Sequence, residues 1–310
     1  MSPRSSSIAW CWVGFMACTV PAFSALAQTP AASAAATAPA PLRLLVAHPV
    51  VAALTTTLVR DTGMVVLRPV PETLPPGRQL AFFTGRGAAG LAEAARQADA
   101  VVALRSLWPD DPLFPLARRQ NIRLIEIDAA RPLDASLPGM ALQEADASAN
   151  ALPWLDPVNL GRMADVIAGD VGRLVPAARA RVQANVATLR QQLLAITAQS
   201  EARLASANNL AVFSLSDRLG YFVNGFNLDL VGTDAREDGA WTAEALTAFT
   251  QRLRSGAVAA VLHHRELPPA LAQAVQAAGV RTIVLQTEGR DPLGELRENS
   301  QRLSALAMGR

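Results

Sequence analysis

One uninterrupted helical pattern, Ala177 to Leu204, divides this chain into two halves that each alternate strand and helix signals. Apolar residues recur along it at Val182, Val186, Leu189, Leu193 and Ile196. Their spacing by three and four places them on one helix face. Pro176 stands just ahead, where a first helical turn tolerates it. At about 1.5 Å of rise per residue the segment is a rod of about 42 Å. A rod of that length between two α/β units implies one helix spanning both.

Each half supplies short runs of Val, Ile, Leu and Ala between helical stretches. In the first half the runs are 42–47, 64–70, 99–104 and 122–128, with helices expected near 49–61, 87–98 and 112–120. In the second half they are 209–215, 228–232, 257–264 and 281–286, with helices at 242–254, 268–279 and 292–307. Apolar runs without clean alternation suit parallel strands covered on both faces. Their βαβ order predicts an open α/β sheet in each half. The expected fold class is therefore α/β with two lobes. Each lobe is a small, mostly parallel sheet with helices on both faces, and one long rigid helix joins them. The expected division is residues 42–175 for the first lobe, 176–206 for the linking helix and 207–310 for the second lobe.

Residues 1–27 read as a secretory signal peptide, with Arg4 before an apolar run and Ala25-Leu26-Ala27 as the small-residue cleavage pattern. Residues 28–41 are an Ala/Pro-rich linker without side chains for a core. Both cysteines, Cys11 and Cys18, fall inside the signal, so the mature chain has no thiolate ligand and no disulfide. "FMAC" around Cys18 loosely resembles a lipoprotein box, which would instead leave Cys18 lipidated. Export to the periplasm is expected. The net charge of +2 gives no reason to expect a nucleic-acid partner. The three histidines aside, every basic residue is arginine.

Two α/β lobes place a ligand between them, near the carboxyl ends of strands. The three histidines, His48, His263 and His264, all stand at such ends. So does Arg105, after 99–104, and Ser216, Asp217 and Arg218 follow 209–215. Imidazole and carboxylate suit zinc and related metals. Arg105 and Arg218 beside a histidine suit a carboxylate-bearing ligand. Plainer roles compete: His48 as a cap of the following turn, Ser216 or Asp217 as an N-cap, the arginines as surface charges. "TGRG" at 84–87 could present backbone amides to an anion, although it lacks the Lys and Ser/Thr of a P-loop. HExxH, GxSxG and a mature cysteine nucleophile are all missing, so no enzyme is expected.

The segment "PWLDPVNLGRMADVIAGDVGRLVPAARARVQANVATLRQQLLAI" then resembles the periplasmic zinc- and manganese-binding proteins of ABC importers, a ZnuA-like solute-binding family. Trp154, Leu155, Asp156, Pro157 and Asn159 carry the resemblance, with Pro176 and Asn185 further on. "SDRLGYF" at 216–222 resembles the family's His-Asp-x-x-Gly-Tyr-Phe through Asp217, Gly220, Tyr221 and Phe222. Asn299 and Leu303 fit the terminal helix, and the likeness spans roughly residues 42–308. It implies a solute-binding component that works as a monomer with an ABC permease of the inner membrane. It also implies a divalent metal, zinc or manganese, as ligand.

The family's metal ligands do not carry over. Where histidines are implied stand Leu152, Ser216, and Phe82 or Phe83; where an acid is implied stands Gln286, with Glu288 two further on. Two chemistries stay open. A rearranged metal set could draw on His48, His263 or His264, Asp217 and Glu288. Alternatively, a cleft made apolar and basic by Phe83, Leu152, Trp154, Arg105 and Arg218 could take an organic anion, a metal chelate or another protein. A periplasmic metallochaperone or interaction protein that does not serve transport is the rival from a different class.

Overall fold

The computed structural model describes residues 41–133, 139–140 and 151–307. The expected signal peptide, nearly all of the linker, and both cysteines lie outside the described residues. The elements run in order β1 (Arg43–Val46), α1 (Pro49–Leu58), β2 (Val65–Leu67), α2 (Gln79–Thr84), α3 (Ala88–Gln97), β3 (Ala100–Ala103), α4 (Leu113–Arg118) and β4 (Ile125–Asp128). Then come α5 (Pro157–Leu174), α6 (Arg179–Leu204), β5 (Ala211–Ser214), α7 (Gly220–Gly225), β6 (Asp229–Thr233) and α8 (Ala243–Ser255). The chain closes with β7 (Ala260–His263), α9 (Pro269–Ala277), β8 (Arg281–Val284), α10 (Pro292–Arg302) and α11 (Ser304–Ala307).

Two four-stranded, wholly parallel sheets result, in the orders β2-β1-β3-β4 and β6-β5-β7-β8. The central strands β3, β5 and β7 are buried at every residue, and β1 at all but its first. That explains their unbroken apolar runs: side chains on both faces meet helices. The edge strand β6 is largely exposed, and the edge strand β2 is half-exposed and falls short of the apolar run 64–70 that announced it. Gly232 of β6 lies against Phe213, at the irregular register of β5 with β6. A Cβ there would press into that ring, and glycine removes the conflict.

The long helix is α6, entered through a 3-10 turn at Pro176–Ala178. Val182, Val186, Leu189, Leu193 and Ile196 are buried on its inner face, as their spacing predicts, together with Ser200 and Leu204. That face packs on α5 and α1 from the first half and on α10 and α11 from the second. One core cluster consequently runs through both halves, from Leu44 and Val51 to Leu296 and Leu303. Asn185 fixes the register of the contact, its Nδ2 donating to the carbonyls of Leu58 and Arg60 at 2.9 Å each. Those carbonyls at the end of α1 have no helical partner of their own. No described helix is long and apolar enough to cross a membrane.

Candidate functional site

Both sheets reverse strand order between their two central strands, β1 and β3 in one, β5 and β7 in the other. Loops leaving neighbouring carboxyl ends diverge at such a point and open a crevice. A cleft of about 650 Å³ lies here. The first switch point supplies His48, which follows β1, and Leu104, Leu107 and Trp108, which follow β3. The second half supplies Arg218 after β5, and Thr287, Glu288 and Arg290 after β8. Leu152 and Trp154 come from the segment leading into α5, and residues 72–77 from the loop after β2.

His48 is 7 % exposed and makes edge-on contacts with two indoles, at ring-centroid distances of 5.1 Å to Trp154 and 6.1 Å to Trp108. Its side chain makes no capping hydrogen bond to α1, and its Nδ1 is buried without a partner. Burial first, and then the nearby charge of Arg68, lower its pKa to about 3. At neutral pH the ring is uncharged. His48 therefore lends the cleft a flat neutral surface and no positive charge.

The two tryptophans are held by local structure. Trp108 rides on a loop braced by two aspartates. Asp111 accepts from the backbone N–H of Leu104 at 3.1 Å and of Leu113 at 3.0 Å. Asp128 accepts from the Ser106 N–H at 2.7 Å and from its hydroxyl at 2.8 Å. Burial pushes the Asp111 carboxyl up, and its backbone hydrogen bonds pull it back. Trp154 belongs to a 3-10 turn, Pro153–Leu155, followed by Asp156 as the N-cap of α5, accepting from the Val158 N–H at 2.7 Å. The Trp154 Nε1 is buried without a partner.

Gly289 presses on that indole. Its φ is +69°, and a Cβ would stand 3.3 Å from the Val50 Cβ and 3.5 Å from the Trp154 Nε1. The buried Glu295 carboxylate holds this loop by accepting from the N–H groups of Gly289 at 2.9 Å and Arg290 at 3.0 Å. Asn299 secures its start, pairing both ways with the Gln286 backbone at 2.7 and 2.8 Å. The result is a fixed β8–α10 connection that presents Glu288 and Arg290, ion-paired at 2.7 Å, to the cleft.

Of the residues singled out in the sequence, His48, Leu152, Trp154, Arg218 and Glu288 meet in this cleft. The others do not line it. Phe83 lies in α2, 3 % exposed, in a core cluster with Leu45, Val101 and Leu113. The cleft-lining loop is 72–77, several residues earlier than the apolar position suggested. Arg105 turns away to Glu126, at 3.2 Å, and stands over the Phe114 ring. Ser216 is 3 % exposed, its hydroxyl 2.9 Å from the His264 Nδ1. Asp217 is only partly buried and is not in the cleft wall.

His263 and His264 do not point to opposite faces as strand neighbours would. The strand ends at His263, the chain turns, and the two rings stack at 4.6 Å and 22°. The Nδ1 of His263 is engaged by the Arg265 backbone. Burial lowers the pKa of both, that of His264 to about 4 with help from His263 and Arg218. Nor does the 84–87 glycine turn offer amides to an anion, because the N–H groups of Gly85 and Gly87 are spent on the Phe82 carbonyl.

The rearranged metal set is thus split: His48 and Glu288 line the cleft, while Asp217, His263 and His264 lie outside its wall. Among the described residues, no three His, Cys, Asp or Glu side chains gather in a way that could hold a metal ion. Trp108, Glu72, Leu74 and Arg290 are among the cleft residues the sequence did not single out. Trp108 was within reach of the rule that found His48, since it too follows a central strand.

A family model described as "Zinc-uptake complex component A periplasmic" matches residues 89–304. Among solved structures, the chain is similar to the solute-binding protein FpvC of Pseudomonas aeruginosa in complex with Mn2+. That likeness has 17 % identity, 86 % of this chain and 98 % of that chain covered, and a TM-score of 0.65. An FpvC mutant from the same organism gives 18 %, 86 %, 100 % and 0.68. The Zn(II)-bound ZnuA-like domain of AdcA from Streptococcus pneumoniae gives 16 %, 87 %, 100 % and 0.63. No curated protein matches the sequence.

Proposed function

This chain belongs to the family of periplasmic zinc-uptake components, and from that premise we propose that it is the solute-binding component of an ABC importer whose cleft has lost the family's ion site. Proteins of this family bind a solute and are not enzymes. Their ions, manganese in FpvC and zinc in AdcA, are the starting expectation for this ligand too. One observation carries the proposed change. Leu152 stands in the cleft wall where the family resemblance implies a histidine, while only His48 and Glu288 of the other candidate ligands share that wall. Leucine has no donor for a metal, and a zinc site needs three or four donors around one point. The proposal includes the division into lobes at 42–175 and 207–310, export by the signal at 1–27, work as a monomer, and a permease partner in the inner membrane. A metal carried inside an organic chelate is compatible with this cleft, and among the described residues no three candidate side chains gather to hold a bare ion.

Ligand-linked stability tests the binding role. A solute at 100 times its dissociation constant adds about 2.7 kcal/mol. The mature protein is screened by thermal unfolding against zinc, manganese, nickel, organic anions and their metal complexes. Stabilisation by a solute, reduced in Trp154→Ala, is expected. A full panel without any stabilisation would count against a binding protein.

A further inference from the structure

Resting on that view of the cleft, we infer that its ligand is a flat aromatic carboxylate, with its ring against Trp108 and Trp154 and its carboxylate on the Arg218 guanidinium. The wall comes first. Two indoles and the His48 ring converge on one hollow, and Leu152 and Leu107 extend its apolar surface. Aromatic rings meet edge-on or offset and gain beyond simple burial. A volume of about 650 Å³ is that of a small-organic-molecule site. A bare ion clasped by side chains needs no such space.

The charges decide the polar end. Glu288 is already paired with Arg290 at 2.7 Å. Glu72 acts on the charge of Arg68, which stands close enough to oppose a positive charge at His48. Arg218 is left: it lines the cleft, is partly buried, and its guanidinium has no hydrogen bond or ion pair among the described residues. A guanidinium fork fits a carboxylate bidentately. An incoming cation would instead have to break the Glu288–Arg290 pair and approach Arg68 and Arg218. The ligand chemistry could arrive as the free acid or as its metal complex, and the test separates the two.

The mature full chain is titrated with benzoate, indole-3-acetate and pyridine-2-carboxylate, the last with and without zinc. Acetate and zinc alone are the controls. Tryptophan emission reports binding, since Trp108 and Trp154 line the cleft. At least one aromatic carboxylate should bind saturably and at least about tenfold more tightly than acetate. Arg218→Gln should weaken it by about ten- to a hundredfold, the worth of a charged hydrogen-bonded pair. Trp108→Leu should weaken it also, with the circular dichroism of both variants unchanged. Binding of pyridine-2-carboxylate only with zinc supports the complexed form.

Aromatic carboxylates no better than acetate, or binding indifferent to Arg218→Gln, overturns the ligand class. If another solute still stabilises the protein, the binding function stands without it. Tight binding of zinc alone, lost in His48→Ala and Glu288→Ala, overturns both the ligand class and the altered site.

Discussion

The protonation of His48 gives this structure a measurable acid sensitivity. In the unfolded chain an imidazole takes up its proton near pH 6.5, whereas in the folded protein burial and Arg68 delay uptake to about 3. The folded pKa is depressed, so between these values the unfolded chain binds more protons. Stability is then fully present above about 6.5 and is lost as the pH falls. Going from pH 7 to pH 4.5 the ring alone should cost about 2.5 kcal/mol. His264, with its pKa lowered to about 4, acts in the same direction. The buried carboxyls of Asp111 and Glu295, both raised, act oppositely and gain stability as the pH falls through their folded values. A comparison with His48→Asn isolates the one ring. Urea unfolding followed by circular dichroism is run on both proteins at each pH. Wild type should lose about 2.5 kcal/mol more than the variant over this interval. Equal losses would show that His48 is not held neutral by burial in the aromatic wall.

Other perturbations probe the frame of the cleft. Gly289→Ala places a side chain at φ +69° against Val50 and Trp154. It should destabilise by about 1–2 kcal/mol and shift tryptophan emission, and unchanged unfolding would refute the close approach. Asn299→Leu strips the Gln286 backbone of both partners and should cost about 2 kcal/mol or more in urea unfolding. Asn185→Ala should cost about 1 kcal/mol, by releasing the end of α1 from α6.

Much of the fold was legible because its signals are local. The unalternating runs at 99–104, 209–215 and 257–264 became central parallel strands, and the three-and-four spacing in 177–204 became the buried face of α6. Edges were read too long, as at 64–70, because hydrophobicity marks burial and not the point where a ladder ends. The cleft was half legible. Residues directly after central strands, His48 and Arg218, could be placed by topology alone. Arg105 obeys the same rule, yet turns aside because Glu126 and Phe114 offer partners that are distant in sequence. Phe83 stands where the resemblance implies a histidine, and position along the chain alone cannot reveal that α2 forms there and buries the ring. The stacking of His263 on His264 depends on a turn just beyond the strand, which alternation cannot foresee.

The proposed loss of the family's ion site has a direct consequence for metal binding. Equilibrium dialysis of the purified mature protein against zinc and manganese at neutral pH, with bound metal counted by elemental analysis, tests it most directly. No stoichiometric, high-affinity ion is expected in either case. A full equivalent of zinc or manganese per chain, held at sub-micromolar free metal and lost on Glu288→Ala, would contradict it.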